Sequence, residues 1–199
     1  MLGLINRAME CFMRDTYGDA TWQAVIAPME LGFTEFEAML VYDDAVTPRL
    51  LRGMSHTLGK SDPDILEDIG TYLVSHPNAQ ALRRLLRFGG ASFAEFLHSL
   101  DDLPERARLA VSGLALPRIE LREHTVTTFS LTVSSGPRDL VGFAHVLLGL
   151  LRAMADDYGV LVFLEHRGSR DGSEILSVSL LDPGFATGRD FTLGAGIAE

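Results

Sequence analysis

The 199-residue sequence predicts an α+β fold, with an N-terminal helical part of about six helices followed by a β-β-α-β-β antiparallel sheet part. Three observations carry this reading. Through residue 112, apolar side chains recur every three or four positions, and the stretches are bounded by residues that start or stop helices. From residue 117 the period falls to two, in segments rich in β-branched residues. Between two pairs of these segments lies one apolar run, 140–151, which reads as a buried helix. A single domain over 1–182 is expected, with 1–112 helical and 117–182 sheet, followed by a Gly-rich tail over 183–199.

Each element has a local reason. Leu2, Ile5, Met9, Phe12 and Met13 share a helix face over 2–17, and Gly18 closes it. Trp22, Val25 and Ile26 predict a second short helix ending near Pro28. Thr47-Pro48 reads as a cap and first-turn proline for a helix over 48–58, with Gly59 after it. Ser61-Asp62-Pro63 repeats that signal for a helix to Ser75, which His76-Pro77 stops. Asn78 is read as the cap of a helix through Phe88, and Gly89-Gly90 breaks the chain. Ser92 with Glu95 then forms a capping box. Ile119, Leu121 and the run 126–133 predict two strands, and 134–137 reads as a turn. The buried helix is expected over 139–158, with two further strands over 160–166 and 175–181 joined by a hairpin loop at 168–172.

Composition narrows the function. With 17 Lys+Arg against 27 Asp+Glu the formal charge is −10, which repels phosphate backbones and anionic membrane surfaces. Nucleic acid is therefore not an expected partner. The run 140–151 falls short of the roughly twenty apolar residues of a spanning helix. The N-terminus lacks a signal-peptide pattern, so cytoplasmic residence is expected. Cys11 stands alone, which excludes an internal disulfide and a cysteine-based zinc site.

Several segments together resemble one family, the heme nitric oxide/oxygen-binding (H-NOX) domains of bacterial sensors and of soluble guanylate cyclase. They are Met1-Leu2-Gly3-Leu4-Ile5-Asn6-Arg7-Ala8, Tyr17-Gly18-Asp19-Ala20-Thr21-Trp22, Tyr42-Asp43-Asp44, Phe96-Leu97-His98-Ser99-Leu100-Asp101-Asp102-Leu103 and Pro117-Arg118. The resemblance covers nearly the whole chain and implies the same helix-then-sheet order. It implies heme as cofactor, with Ile5, Met9, Val74 and Leu148 lining the space heme fills in relatives. It also implies that Pro104 stands where family members carry the iron-ligating histidine, directly after the aspartate-x-leucine stretch. Proline has no side-chain lone pair for iron. Asp102, Pro104 and Glu105 instead read as a new helix start. The family's tyrosine-x-serine-x-arginine motif, which holds the heme propionates, falls in direct register on Val133, Ser135 and Pro137, with Arg138 one residue beyond. Only the serine matches.

The other candidates have plain structural readings beside the functional ones. No two of the six histidines are spaced to put two ligands on one helix face, so no metal site is expected. His98 lies six residues before Pro104 and faces away from the family's ligand direction. His76 ends a helix, where it can meet the last carbonyls. His145, inside the apolar run, is the most suggestive candidate and is expected to be a hydrogen-bonded core histidine. Gly89-Gly90-Ala91-Ser92 lacks the lysine of a phosphate-binding loop, and no nucleophile–base order has local support. The expected function is a stand-alone, non-catalytic sensory or regulatory domain, heme-free or atypically ligated. It would act in trans on a signalling protein such as a histidine kinase or diguanylate cyclase, with an apolar small molecule as a possible ligand. The alternative is a gas sensor whose heme is held by a residue outside the family pattern.

Overall fold

A computed structural model describes residues 3–111, 113–114, 116–134, 136 and 142–182. The turn residues Ser135 and Pro137, the start of the run at 140–151 and the tail over 183–199 lie outside the described residues. Seven helices precede the sheet: α1 (Gly3–Tyr17), α2 (Asp19–Ile26), α3 (Val46–Leu58), α4 (Asp62–Ser75), α5 (Gln80–Arg87), α6 (Phe93–His98) and α7 (Leu103–Ala110). Strands β1 (Arg118–Thr125) and β2 (Thr128–Ser134), helix α8 (Phe143–Tyr158), and strands β3 (Leu161–Arg170) and β4 (Ser173–Asp182) complete the predicted β-β-α-β-β order.

Helix α1 is tied down by buried polar contacts. Glu10 is fully buried on α1 and accepts from Arg7 Nη1 and Arg14 Nε at 2.9 Å each and from the Phe36 N–H at 2.8 Å. Three donors satisfy a carboxylate that would otherwise be costly to bury. Trp22 is likewise fully buried, and its indole N–H donates to the Thr34 carbonyl at 2.9 Å. The loop 30–45 is thereby held against α1 and α2.

The capping signals divide into those that local sequence satisfies and those that the fold diverts. Ser61 and Ser92 accept from the backbone N–H of Asp64 and Glu95 as predicted, and Glu95 Oε2 accepts from the Ala91 N–H at 2.7 Å. Thr47 is not a cap: α3 begins at Val46, and the Thr47 hydroxyl is buried and donates to Asn6 Oδ1 at 2.7 Å. Asn78 is not a cap either, because a 3-10 turn over Pro77–Ala79 precedes α5 and the Asn78 amide donates to Asp15 Oδ2 at 2.9 Å. In both cases a partner distant in sequence claims the side chain.

The sheet order is β1-β2-β4-β3, antiparallel throughout. Its inner face carries Ile119, Phe129, Leu131, Val133, Leu176 and Val178, all buried in one apolar cluster with α8. The β3–β4 hairpin is tighter than the expected loop at 168–172: Arg170 pairs with Ser173, and Asp171 and Gly172 turn at φ 53° and 79°. Two positive φ values in a two-residue turn match the right-handed twist of the strands. Gly168, at φ 91°, lies inside β3, where the register shifts between His166 and Ser169.

Helices α4 and α8 cross with their backbones in contact. A Cβ at Gly70 would fall inside van der Waals contact of the Val146 carbonyl, and one at Gly149 would do the same at the Glu67 carbonyl. The Thr71 hydroxyl donates across the crossing to the Gly149 carbonyl at 3.3 Å. Gly149→Ala is expected to force the helices apart and to cost about 3 kcal/mol or more in urea unfolding, the upper range for overpacking. Unchanged stability would contradict the crossing described.

Candidate functional site

The region around Pro104 is assembled from three short elements. Ser92 caps α6, the chain tightens into a 3-10 turn over Ser99–Asp102, and α7 restarts at Leu103. Pro104 has no N–H to give the Leu100 carbonyl, so an unbroken α-helix through this point would lose a bond. The Leu103 N–H donates to Leu100 instead, which is the i→i+3 bond of the tighter turn. The predicted restart is therefore present, with one correction. Asp102 sits in helical conformation at φ −88° and ψ −8° and makes no side-chain cap. It is Asp101 whose carboxylate is engaged, accepting from the Leu121 N–H of β1 at 2.6 Å. The segment bearing Pro104 is thus hydrogen-bonded to the sheet.

The positions that the resemblance assigns to the heme space fall in one apolar body. Met9, Val74, Val133 and Leu148 belong to a continuous apolar cluster, and Ile5 packs against it while partly buried. Pro117 is buried at the entry to β1, and Pro104 is half-buried. Ser135 and Arg138 lie outside the described residues. Val133 is fully buried on the inner face of β2. An isopropyl group there cannot donate to a propionate as a phenol would.

The face of α6 toward α8 is filled by aromatic rings. Phe93 and Phe96 lie 6.1 and 6.0 Å from the Tyr158 ring, the Tyr158 hydroxyl donates to the Gly90 carbonyl at 2.7 Å, and the Arg87 guanidinium stands 3.9 Å above the Tyr158 ring. Burial, partly countered by Arg87, pushes the Tyr158 phenol up.

The histidines distribute as follows. His98 is exposed on α6, pairs with Glu123 at 3.1 Å and meets the edge of Phe129. His76 stacks on Tyr72 at 4.8 Å, and its Nδ1 accepts from the Asn78 N–H at 3.3 Å, so it caps the following turn rather than meeting the last carbonyls of α4. His145 departs from the expected hydrogen-bonded core histidine: its Nδ1 is buried without a hydrogen-bond partner. Its ring stacks on that of His166 at 4.6 Å. Sequence spacing could not show this pairing, because β3 and α8 are juxtaposed by tertiary packing.

The side chains around Pro104 offer no ligand for iron at that point of the chain. Pro104 has no donor atom, and its neighbours Leu100, Leu103 and Ala107 are buried and aliphatic.

The sequence profile of the Haem-NO-binding (HNOB) family matches residues 2–166. The chain belongs to this family. The soluble guanylate cyclase gcy-31 of Caenorhabditis elegans is 24% identical over 157 residues, 79% of this chain and 22% of that protein. Soluble guanylate cyclase 89Db of Drosophila melanogaster is 20% identical over 158 residues, 79% of this chain and 23% of that protein. The chain spans about a fifth of the length of these curated relatives. Among solved structures, the Fe(II) unliganded H-NOX protein from K. algicida superposes with a TM-score of 0.77 at 17% identity, covering 92% of this chain and 97% of that one. The H-NOX protein from S. oneidensis in the Fe(II)NO state gives 0.76 at 16% identity, covering 92% and 100%. The fold of this HNOB member is therefore that of the H-NOX structures, as the sequence predicts. No described helix is long and apolar enough to cross a membrane.

One titrating contact joins α1 to α4 beside this body. The Tyr72 hydroxyl donates to Asp15 Oδ2 at 2.6 Å. That bond, then the Asn78 amide and His76, hold the Asp15 carboxyl below its usual value, while burial and the Asp15 charge push the Tyr72 phenol well up. A lowered carboxyl stabilises fully above its unfolded value near 4 and loses that contribution as pH falls. A raised phenol stabilises below about 10 and loses it above. Tyr72→Phe should lower stability near neutrality by about 1 kcal/mol. It should also flatten the decline of the urea midpoint at both pH extremes; an unchanged profile would show that the pair contributes nothing.

Proposed function

We propose that this HNOB member is a sensory or regulatory signalling domain that does not hold heme through the family's ligand and that acts by contact with a separate partner protein. What supports the reading is Pro104, donor-free at the position that the resemblance makes axial, in a helix restart hydrogen-bonded through Asp101 to β1. In a domain built this way, a shift of α7 is transmitted to the sheet by the protein itself, and a ligand that prefers one arrangement shifts the population the partner meets. A partner surface is supported on the outer face of the sheet, where Phe163 is 53% and Leu181 62% exposed. A histidine kinase, a diguanylate cyclase or a similar signalling enzyme is the proposed partner class, and the chain itself is proposed to be non-catalytic. An apolar small molecule within the cluster around Met9, Val74 and Leu148 is the proposed ligand class.

The test is a hemin titration of the wild-type chain and of Pro104→His. The variant should bind one equivalent at least about tenfold more tightly, because an imidazole replaces a side chain with no lone pair. Saturable one-to-one binding to the wild type with the same affinity as the variant would overturn the reading and revive a gas sensor ligated from elsewhere.

A further inference from the structure

Three side chains far apart in sequence meet where the N-terminal end of α8 overlies the β3–β4 hairpin. His145 leaves the first turn of α8, His166 lies on β3 and Glu174 on β4, and one ligand atom from each lies within 4.8 Å of the other two. His166 Nε2 is 2.9 Å from Glu174 Oε2. The imidazole planes of His145 and His166 stack at 29°. Side-chain exposures of 17%, 25% and 21% leave the three half-buried and open to an entering ion.

The register builds this cluster. His166 pairs with Leu176, and Glu174 stands two residues from Leu176 on the same inner face. The bulge after His166, with Gly168 at φ 91°, pairs Ser169 with Glu174 and leaves the His166 ring free to lean toward the carboxylate. On the other side Glu174 pairs with Val133 of β2, so the cluster borders the apolar body described above.

A second observation is independent of this proximity. His145 Nδ1 is buried without a hydrogen-bond partner, with Glu67 Oε1 3.6 Å away and Glu67 itself held by Arg152 at 3.1 Å. As mere packing, the stack would leave a buried polar atom unmatched, an arrangement native structures avoid. Two imidazoles and a carboxylate with ligand atoms within 4.8 Å of one another are a donor set that borderline divalent metals prefer, whereas calcium and magnesium favour oxygen alone.

We propose that His145, His166 and Glu174 form a binding site for a divalent transition-metal ion of the zinc class, with Glu67 orienting His145. Donors about 2.1 Å from a tetrahedral ion lie roughly 3.4 Å apart, so binding draws the ligand atoms together and turns the two imidazoles out of their stack. The fourth position is taken by water. With the ion on the other ring nitrogen, His145 Nδ1 would be protonated and Glu67 Oε1, now 3.6 Å away, would close on it, the carboxylate–histidine–metal arrangement that fixes a ligating ring. The ion would clamp α8 to both strands of the hairpin. The site rests on the reading that His145 does not ligate heme.

The experiment uses the full chain, stripped of metal and without added hemin, titrated with Zn²⁺ against a chromophoric chelator and with Co²⁺ followed by its visible absorption. One equivalent should bind, with the absorption of a four-coordinate nitrogen/oxygen site, and Zn²⁺ should raise the thermal midpoint. His166→Ala and Glu174→Gln should each weaken binding at least about tenfold, while His124→Ala should not. Glu174→Gln keeps the side-chain shape and preserves the test if His166→Ala fails to fold. Absence of saturable one-to-one binding, or wild-type affinity in Glu174→Gln, would overturn the proposal.

Discussion

The contact on which the rest of the structure depends is the crossing of α4 and α8 at Gly70 and Gly149. With no Cβ at either point, each helix backbone rests on the other, and the Thr71 hydroxyl bridges them. The close approach fixes α8 against the helical part along one face and leaves its other faces to cover the sheet. It therefore determines where Tyr158 closes over Phe93 and Phe96, and where His145 reaches His166 of β3. A helix buried on nearly every side needs such a contact, since larger side chains between two backbones would open gaps that close packing does not tolerate.

Against that scaffold, the departure at Pro104 is local. With no N–H at Pro104 the chain takes a 3-10 turn and a restart, and the Asp101 carboxylate ties the turn to β1. The helical part is thereby hydrogen-bonded to the sheet next to a residue whose side chain has no donor atom for iron. Membership of the HNOB family and the H-NOX fold are consistent with that combination, because topology rests on the buried pattern of many residues and ligation rests on one.

Much of this was legible in sequence where the determinant is local. Ser61 and Ser92 cap the helices they precede because their partners lie three residues on. The alternation in β2 maps directly onto its burial. Thr47 and Asn78 carry the same capping chemistry, yet Asn6 and Asp15, neighbours only in space, take their side chains. Gly168 reads as a loop residue in sequence and acts as a bulge in β3, so the hairpin turn falls at Asp171-Gly172. At the candidate site, the helix restart at Pro104 was readable from the chain. The meeting of His145, His166 and Glu174 was not, because no periodicity relates the start of α8 to the register of β3 and β4.

The central claim is that an H-NOX fold is kept here without the family's iron ligand. The optical spectrum of the chain, purified from cells supplied with a heme precursor and then exposed to dithionite and nitric oxide, tests it most directly. The account predicts a preparation without a stoichiometric Soret band and without any nitric oxide response. A one-to-one Soret band that shifts with nitric oxide would contradict it.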